Sequence, residues 1–281
     1  MKNSVYFVLS MLLAFALNTC SNNVLENSDF SDREFLKEWD LTSYLNVCTP
    51  VTDALQYPEP WNVDVERTFV IPDETIRSMS TCGLLVTLLE DPSIHAKKPW
   101  CTYCSSWYNS GVTIFNNELQ TNKVAVELFE RNDCFPVLAS EYLTNLTLVL
   151  EEIAPGIYKC PEKGICNMAY FEMLLASDMN ISALSEKEEI QLMAMALERT
   201  KHAKDIITTC HILIAIMKSY QYAPFVKDIE PRLTETTNGY TMSTPYDSIQ
   251  YIGLGAPHIN LILEYAKQFL NEQKNKHYEI N

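Results

Sequence analysis

The closest grouping of reactive side chains in the sequence is the segment Trp-Cys-Thr-Tyr-Cys at residues 100–104. A Trp ahead of two cysteines separated by two residues is typical of thioredoxin-like redox sites, where a helix start lowers the pKa of the first thiol. Such a site follows a buried strand, whereas the residues ahead of Trp100 are polar and end in Pro99. We therefore expect Cys101 and Cys104 to be packed thiols or a local disulfide, with redox catalysis as the alternative.

A second close pair of cysteines, Cys160 and Cys166, brackets a turn-like loop at residues 161–165. The chain carries nine cysteines, which allow many pairings. The Cys160–Cys166 disulfide is the pairing that the sequence favours, because the loop would bring the two thiols together. With Cys101 and Cys104 the same residues would form a four-thiolate zinc site, but a five-residue gap is looser than the usual second pair. No cofactor is therefore predicted.

The five histidines do not form a catalytic pattern. The sequence has no HExxH, no GxSxG, no phosphate-binding glycine loop and no dinucleotide fingerprint. His202 follows Glu198 by one helical turn, a spacing typical of a solvent-facing pair. His211 directly follows Cys210, and neighbours along a helix point about 100° apart, so these two do not form a dyad. A binding protein is favoured over an enzyme.

Aromatic side chains are the better lead to function. Trp and Tyr crowd the first third of the chain, and the candidates to face a ligand are Trp61, Trp100, Tyr103 and Trp107. Exposed rings on loops can stack on sugar faces or anchor a protein partner. Packing between helices is the competing interpretation and the commoner fate of such residues. If these rings share one concave face, they predict a groove for a glycan or a peptide.

Helical periodicity covers most of the chain from residue 31 onward. Helix starts and apolar stripes are predicted at residues 31–39, 72–78, 80–89, 107–117, 124–129, 142–153, 168–176, 185–197, 206–217 and 259–270. Capping boxes are predicted to begin at Ser31 and Ser185, and Ser80 or Thr81 is predicted to cap the helix at 80–89. Only seven of 281 residues are Gly, which makes positive-φ turns scarce and disfavours sandwiches and barrels. We predict an all-α fold of stacked antiparallel helix pairs, similar to an α-solenoid, with an irregular segment at 48–70 and a loop or hairpin at 231–257.

The start of the chain predicts export. Lys2 precedes an apolar run at Val5–Leu17, which is too short to span a bilayer and matches the centre of a secretory signal. Cleavage after Ala14-Phe15-Ala16 would release a soluble secreted or periplasmic chain. This is the alternative to the anchored form described next.

The segment Leu17-Asn18-Thr19-Cys20 resembles a bacterial lipobox. In a lipobox the cysteine is acylated and becomes the first residue of the mature protein, although Thr19 departs from the usual Gly, Ala or Ser. Several acyl chains on Cys20 would anchor the protein stably to a membrane. We therefore predict a signal peptide over residues 1–19, a spacer over 20–30 and a single helical domain over 31–281.

Composition excludes two classes of protein. With 47% hydrophobic and 20% charged residues, the chain has the composition of a globular domain, not of a disordered segment. The formal net charge is −15, and Lys and Arg are not clustered. Because such a surface repels phosphate backbones, nucleic acid is not expected as a partner.

Three segments match longer sequence patterns. Ile71–Leu85 contains the helix start IPxxxxxxMST, and Glu127–Asp133 matches the end of the pattern NxxxELxxRxD. Ser110–Asn117 lies between them. These segments resemble a family of all-helical bacterial envelope lipoproteins of unassigned activity, over roughly residues 70–220. The resemblance implies a superhelical helical fold and an envelope address, and it brings no catalytic residues.

Taken together, these features predict a lipid-anchored protein of the bacterial cell envelope, placed at the outer membrane through Cys20. Its expected role is to bind an envelope protein or a glycan, or to act as a scaffold. The alternative from another class is a secreted thiol–disulfide enzyme that uses Cys101 and Cys104.

Overall fold

The computed structural model describes residues 34–48, 51–58, 69–91, 112–146, 152–154, 157–158, 164–203, 206–230, 233–236, 239–242 and 256–278. The chain divides into two compact units, Met1–Leu45 and Asn46–Asn281. In the first unit the described residues form helix α1 (Glu34–Glu38) and a 3-10 turn at Thr42–Tyr44. The predicted signal peptide, the spacer and the capping box that begins at Ser31 lie outside the described residues.

The described part of the second unit is built mainly from helices. In chain order they are α2 (Asp73–Ser78), α3 (Thr81–Leu89), α4 (Val112–Thr121), α5 (Lys123–Phe129), α6 (Cys134–Thr144), α7 (Gly164–Leu175), α8 (Asp178–Ala183), α9 (Glu186–Arg199), α10 (Ile207–Ser219), α11 (Ala223–Asp228) and α12 (Ala256–Tyr278). Two short antiparallel hairpins interrupt them: β1 (Glu152–Ala154) with β2 (Ile157–Tyr158), and β3 (Leu233–Thr236) with β4 (Gly239–Met242). The all-α prediction is confirmed, and β3–β4 is the hairpin expected within 231–257.

Helix starts follow from local capping. Ser185 accepts a hydrogen bond from the backbone N–H of Glu188, whose side chain accepts from the N–H of Ser185, which is the predicted capping box of α9. Ser80 caps α3 by accepting from the N–H of Gly83, and Asn122 caps α5. Each cap satisfies N–H groups that a helix start leaves without an intrahelical acceptor.

Helix α10 is central to the core of the second unit. It packs against α7, α8, α9, α11 and α12. Four of the five residues of its predicted apolar stripe are buried: Cys210, Leu213, Ile214 and Met217. The fifth, Ile206, is the N-cap residue and is half-buried. Elsewhere α3 packs against α5 and α6, and α9 contacts α6 as well as α10. Packed helix pairs are therefore present, while their stacking into a solenoid stays a prediction.

The helix predicted through residues 142–153 was wrong in its second half. Helix α6 ends at Thr144, and Ile153 lies in strand β1. The side-chain amide of Asn145 donates to the carbonyl of Glu141 at 2.9 Å, and Arg199 donates to the carbonyl oxygens of Asn145 and Leu146 at 3.2 and 2.8 Å. A continuing helix would need the carbonyl oxygens of Asn145 and Leu146 for its own N–H groups, and Arg199 binds them instead, so the helix stops there.

Helix α12 closes the fold against α9, α10 and α11. The ring of Phe269 contacts those of Tyr220 and Tyr222 edge-on, with centroids 4.9 and 5.2 Å apart. The Tyr222 hydroxyl donates to Glu272 at 2.9 Å, and the Tyr265 hydroxyl donates to Asp228 at 2.6 Å. Apolar ring faces and polar ring tips thus both hold this helix in place.

Candidate functional site

Most residues singled out from the sequence lie outside the described part of the chain. This holds for the lipid attachment residue and for the thiol and aromatic candidates: Cys20, Trp61, Trp100, Cys101, Tyr103, Cys104, Trp107 and Cys160. Cys166 falls in α7, but its side chain is not described. The Cys160–Cys166 disulfide and the roles given to the other candidates therefore stay predictions.

The segments that carry the family resemblance meet in the fold. The Thr81 hydroxyl at the start of α3 donates to Asp133 at 2.5 Å. The guanidinium of Arg131 donates to the carbonyl of Arg77 at the end of α2, at 3.0 Å, and pairs with Glu127 at 2.7 Å. Residues of the first segment thus bind residues of the last, and the two segments form a junction between helices.

A segment ahead of α2 is fastened along this junction. We call residues 46–48 and 51–58 the strap; they form neither helix nor strand. A disulfide joins Cys48 to Cys82 in the first turn of α3, with their Cα atoms 5.6 Å apart. This pairing was not among those predicted from the sequence. Further along, the N–H of Leu55 and the hydroxyl of Tyr57 donate to Oγ1 and the carbonyl of Thr87, at 2.8 and 3.1 Å.

The carboxylate of Asp53 seats the strap at the start of α3. It accepts hydrogen bonds from the backbone N–H and the hydroxyl of Ser80, at 2.5 and 2.9 Å. The backbone hydrogen bond is the main reason that the pKa of Asp53 is lowered. A Cβ on Gly83 would come within 2.3 Å of Asp53 Oδ1, so only Gly leaves room for this contact. The MSTCG segment at residues 79–83 therefore accommodates the strap.

A second polar cluster lies inside the core, and we call it the buried network: Tyr142, Glu172, Arg199, Thr208 and Thr209. Tyr142 and Thr209 donate to Oε1 of Glu172 at 3.0 and 2.7 Å, and Thr208 donates to Oε2. The network joins α6, α7, α9 and α10 through one carboxyl group. Both of its oxygens already accept hydrogen bonds from the protein, so the arrangement links helices.

Electrostatics at Glu172 reflect its burial. Burial raises the pKa of the carboxyl, while Arg199, with its Nε 3.6 Å from Oε1, and the three hydroxyl donors act in the opposite direction. Arg199 also holds the carbonyl groups at the end of α6. The guanidinium therefore balances a buried charge and ends a helix at the same time.

The remaining buried groups of chemical interest are poorly suited to react. Cys134 and Cys210 are buried thiols, and burial raises the pKa of Cys134 to about 12, which disfavours the nucleophilic thiolate. Burial lowers the pKa of His211 to about 4, so this histidine is neutral at pH 7. The pair of Glu198 with His202 is formed, at 3.4 Å, but the carboxylate is largely buried instead of facing solvent.

The described residues contain no group of three or more His, Cys, Asp or Glu side chains placed to hold a metal ion. In the same residues, no helix combines the length and the apolar character needed to cross a membrane.

Comparison with known proteins adds no relative. No family model matches the chain, and neither curated proteins nor solved structures give a match. The resemblance to envelope lipoproteins rests on the sequence patterns alone and stays a prediction.

Proposed function

We propose that this protein is exported, anchored to the bacterial cell envelope by lipid at Cys20, and acts there by binding or as a scaffold. The observation that carries the proposal is the disulfide between Cys48 and Cys82. Disulfides form and persist in oxidising compartments, which bacterial chains reach after export. The Cys48–Cys82 disulfide and the signal-like residues 1–19 therefore both support a location outside the cytoplasm.

The buried chemistry supports binding over catalysis. The carboxyl of Glu172 serves to join helices, and the thiol of Cys134 is protonated at neutral pH. A unit of packed helices can present a surface to a partner. The ligand class that we favour is an envelope protein or a glycan, held by the rings of Trp61, Trp100, Tyr103 and Trp107.

The anchor is tested by metabolic labelling of the full-length chain with an alkyne-tagged palmitate in a bacterial host. Label should appear on the wild-type chain and on the matched control Ser21→Ala, and Cys20→Ala should remove it. The intact mass of the mature N-terminus then identifies the attachment. An unmodified N-terminus at Leu17 would contradict the anchor and establish simple secretion.

Binding is tested by crosslinking in the native envelope, followed by identification of captured proteins and by a glycan array with the soluble domain. We expect one recurrent partner or glycan class, whose capture weakens when Trp61 or Trp107 is replaced by Ala. Replacement of Phe30, an aromatic residue of the spacer, serves as the control. Rapid alkylation of Cys101 at neutral pH would instead favour the redox enzyme.

A further inference from the structure

We propose that the Cys48–Cys82 bond is a redox latch, which holds the strap on α3 when oxidised and frees it when reduced, while the helices of the second unit stay folded. The inference does not depend on the lipid anchor, because it concerns the strap and α3 alone. It assigns this chain a chemical partner of known class, a dithiol or disulfide that exchanges with the latch.

The strap lacks buried anchors of its own. Every described strap residue is exposed or half-buried. Asp53, Leu55 and Tyr57 make hydrogen bonds to α3 and to its cap, and the N–H of Val47 donates to Ser140 at 3.2 Å. Water competes for such hydrogen bonds, so each contributes little net stability. The covalent bond is therefore the strongest fastening of the strap.

Helix α3 has a core of its own. Leu84, Leu85 and Leu88 are buried, and the helix packs against α5 and α6. Ser80 caps the helix start from within the same segment. These contacts do not involve the strap, so they remain when the strap leaves.

The accessibility of the sulfur atoms favours exchange at this bond. Cys48 and Cys82 are both half-buried, whereas Cys134 and Cys210 are buried. In the exchange, a thiolate of a dithiol reductant attacks one sulfur and forms a mixed disulfide with it, releasing the other cysteine as a thiolate. The second thiol of the reductant then displaces the bound cysteine. The reductant becomes a disulfide, two electrons pass to the latch, and both cysteines end as thiols; oxidation is the reverse.

Release would uncover specific groups at the start and in the middle of α3. Asp53 covers the N–H of Ser80 and lies against Gly83, and the strap covers the carbonyl and Oγ1 of Thr87. Thr87 is fully buried with the strap in place. Opening the latch therefore changes which part of α3 meets solvent or a partner.

The test is hydrogen exchange of the full-length protein, followed by mass spectrometry of peptides that cover 51–58 and 207–219. In Cys48→Ser/Cys82→Ser the Leu55 amide in the strap peptide, which donates to Thr87, should exchange at least ten-fold faster than in the wild type. In the same time the α10 peptide should remain protected. Gln56→Ala, an exposed change within the strap, is the matched control and should leave the strap as slow as in the wild type.

Two results would overturn the latch. A strap that stays protected in the double-serine variant would show that hydrogen bonds alone hold it. Loss of protection in α10 together with the strap would show that the whole unit needs the bond. As a second measurement, wild-type protein is reduced with dithiothreitol and reoxidised with glutathione disulfide. Strap protection should fall and then return, and a strap that does not respond would also reject the proposal.

Discussion

The strap is held at the surface by one covalent bond and a few hydrogen bonds, whereas the buried network holds four helices through charged and hydroxyl groups in the core. Strap contacts use separate atoms, so one can be broken while the others persist. In the network, Tyr142, Thr208 and Thr209 all depend on one carboxyl group, that of Glu172. The strap is therefore fastened by independent contacts at the surface, whereas the contacts of the buried network depend on one another.

The largest loss of stability should come from breaking the network at its cation. Arg199→Met leaves Glu172 buried without its charge partner and leaves two carbonyl groups at the end of α6 without their donor. Removing one member of a buried ion pair costs about 3–5 kcal/mol. Urea unfolding followed by circular dichroism would measure this change in the free energy of unfolding.

The matched control for that variant is Lys201→Met, two residues further along. Lys201 pairs with Glu198 at 2.5 Å, but its side chain is 65% exposed. Surface pairs contribute only about 0–1 kcal/mol. If Arg199→Met lowers the free energy of unfolding no more than Lys201→Met does, the buried network contributes no more stability than a surface ion pair. The contrast drawn between network and surface would then be wrong.

Removing the disulfide in Cys48→Ser/Cys82→Ser should lower the free energy of unfolding by no more than Arg199→Met does. The bond links residues 34 positions apart, and a closed loop of that length stabilises by up to about 4 kcal/mol through the unfolded chain. A strap that leaves regains freedom in the folded state, so the measured loss for Cys48→Ser/Cys82→Ser should fall below this value. Unfolding that is no longer cooperative in the variant would contradict a latch confined to the surface.

A smaller change in stability is expected for Gly83→Ala, and its sign should depend on whether Asp53 is present. In the wild-type background Gly83→Ala pushes a Cβ against Asp53 and should destabilise the protein by about 1–2 kcal/mol, measured by thermal unfolding. In an Asp53→Ala background the obstacle is gone, and Ala is favoured over Gly within a helix by about 1 kcal/mol. The same substitution should then stabilise. Equal destabilisation in both backgrounds would show that the Asp53 carboxylate does not decide the identity of residue 83.

The two regions also differ in what the sequence could reveal. The caps at Ser80 and Ser185 and the stripe of α10 depend on neighbours within one helix, so periodicity and capping rules predicted them. The end of α6 depends on Arg199, more than fifty residues further along, and no local rule could place it.

The candidate site was predicted less well. Pairing of Cys48 with Cys82 depends on how the strap returns to α3, which the spacing of the two cysteines does not specify. Glu172 did leave a signal, because a single carboxylate stands in the apolar run Tyr170–Leu175. A charge on the buried stripe of a helix calls for buried partners, although the sequence does not name Tyr142 or Thr208 as those partners.

The smallest effects concern the dependence of stability on pH, which should have opposite signs for Asp53 of the strap and Glu172 of the network. The folded pKa of Asp53 is lowered, so its contribution to stability is present above about pH 4 and is lost as the pH falls through the folded pKa. The folded pKa of Glu172 is raised, so between the unfolded value of 4.5 and the folded value the folded state binds more protons. Stability from Glu172 therefore falls as the pH rises through that window.

Urea unfolding of the wild type, Asp53→Asn and Glu172→Gln between pH 3 and 7 would resolve these opposite slopes. Asp53→Asn should flatten the loss of stability on the acid side, because an amide does not titrate in this range. Glu172→Gln should make the decline above about pH 4.5 shallower, even if the variant is less stable at every pH; burial also raises the pKa of Glu141 and Glu189, so part of the decline stays. The contributions of the two carboxyl groups to stability would then change with pH in opposite directions. Hydrogen bonds at the surface favour the charged form of Asp53, whereas burial in the core disfavours the charged form of Glu172. If the wild-type-minus-variant differences in stability change with pH in the same direction for Asp53→Asn and Glu172→Gln, this division between strap and network is contradicted.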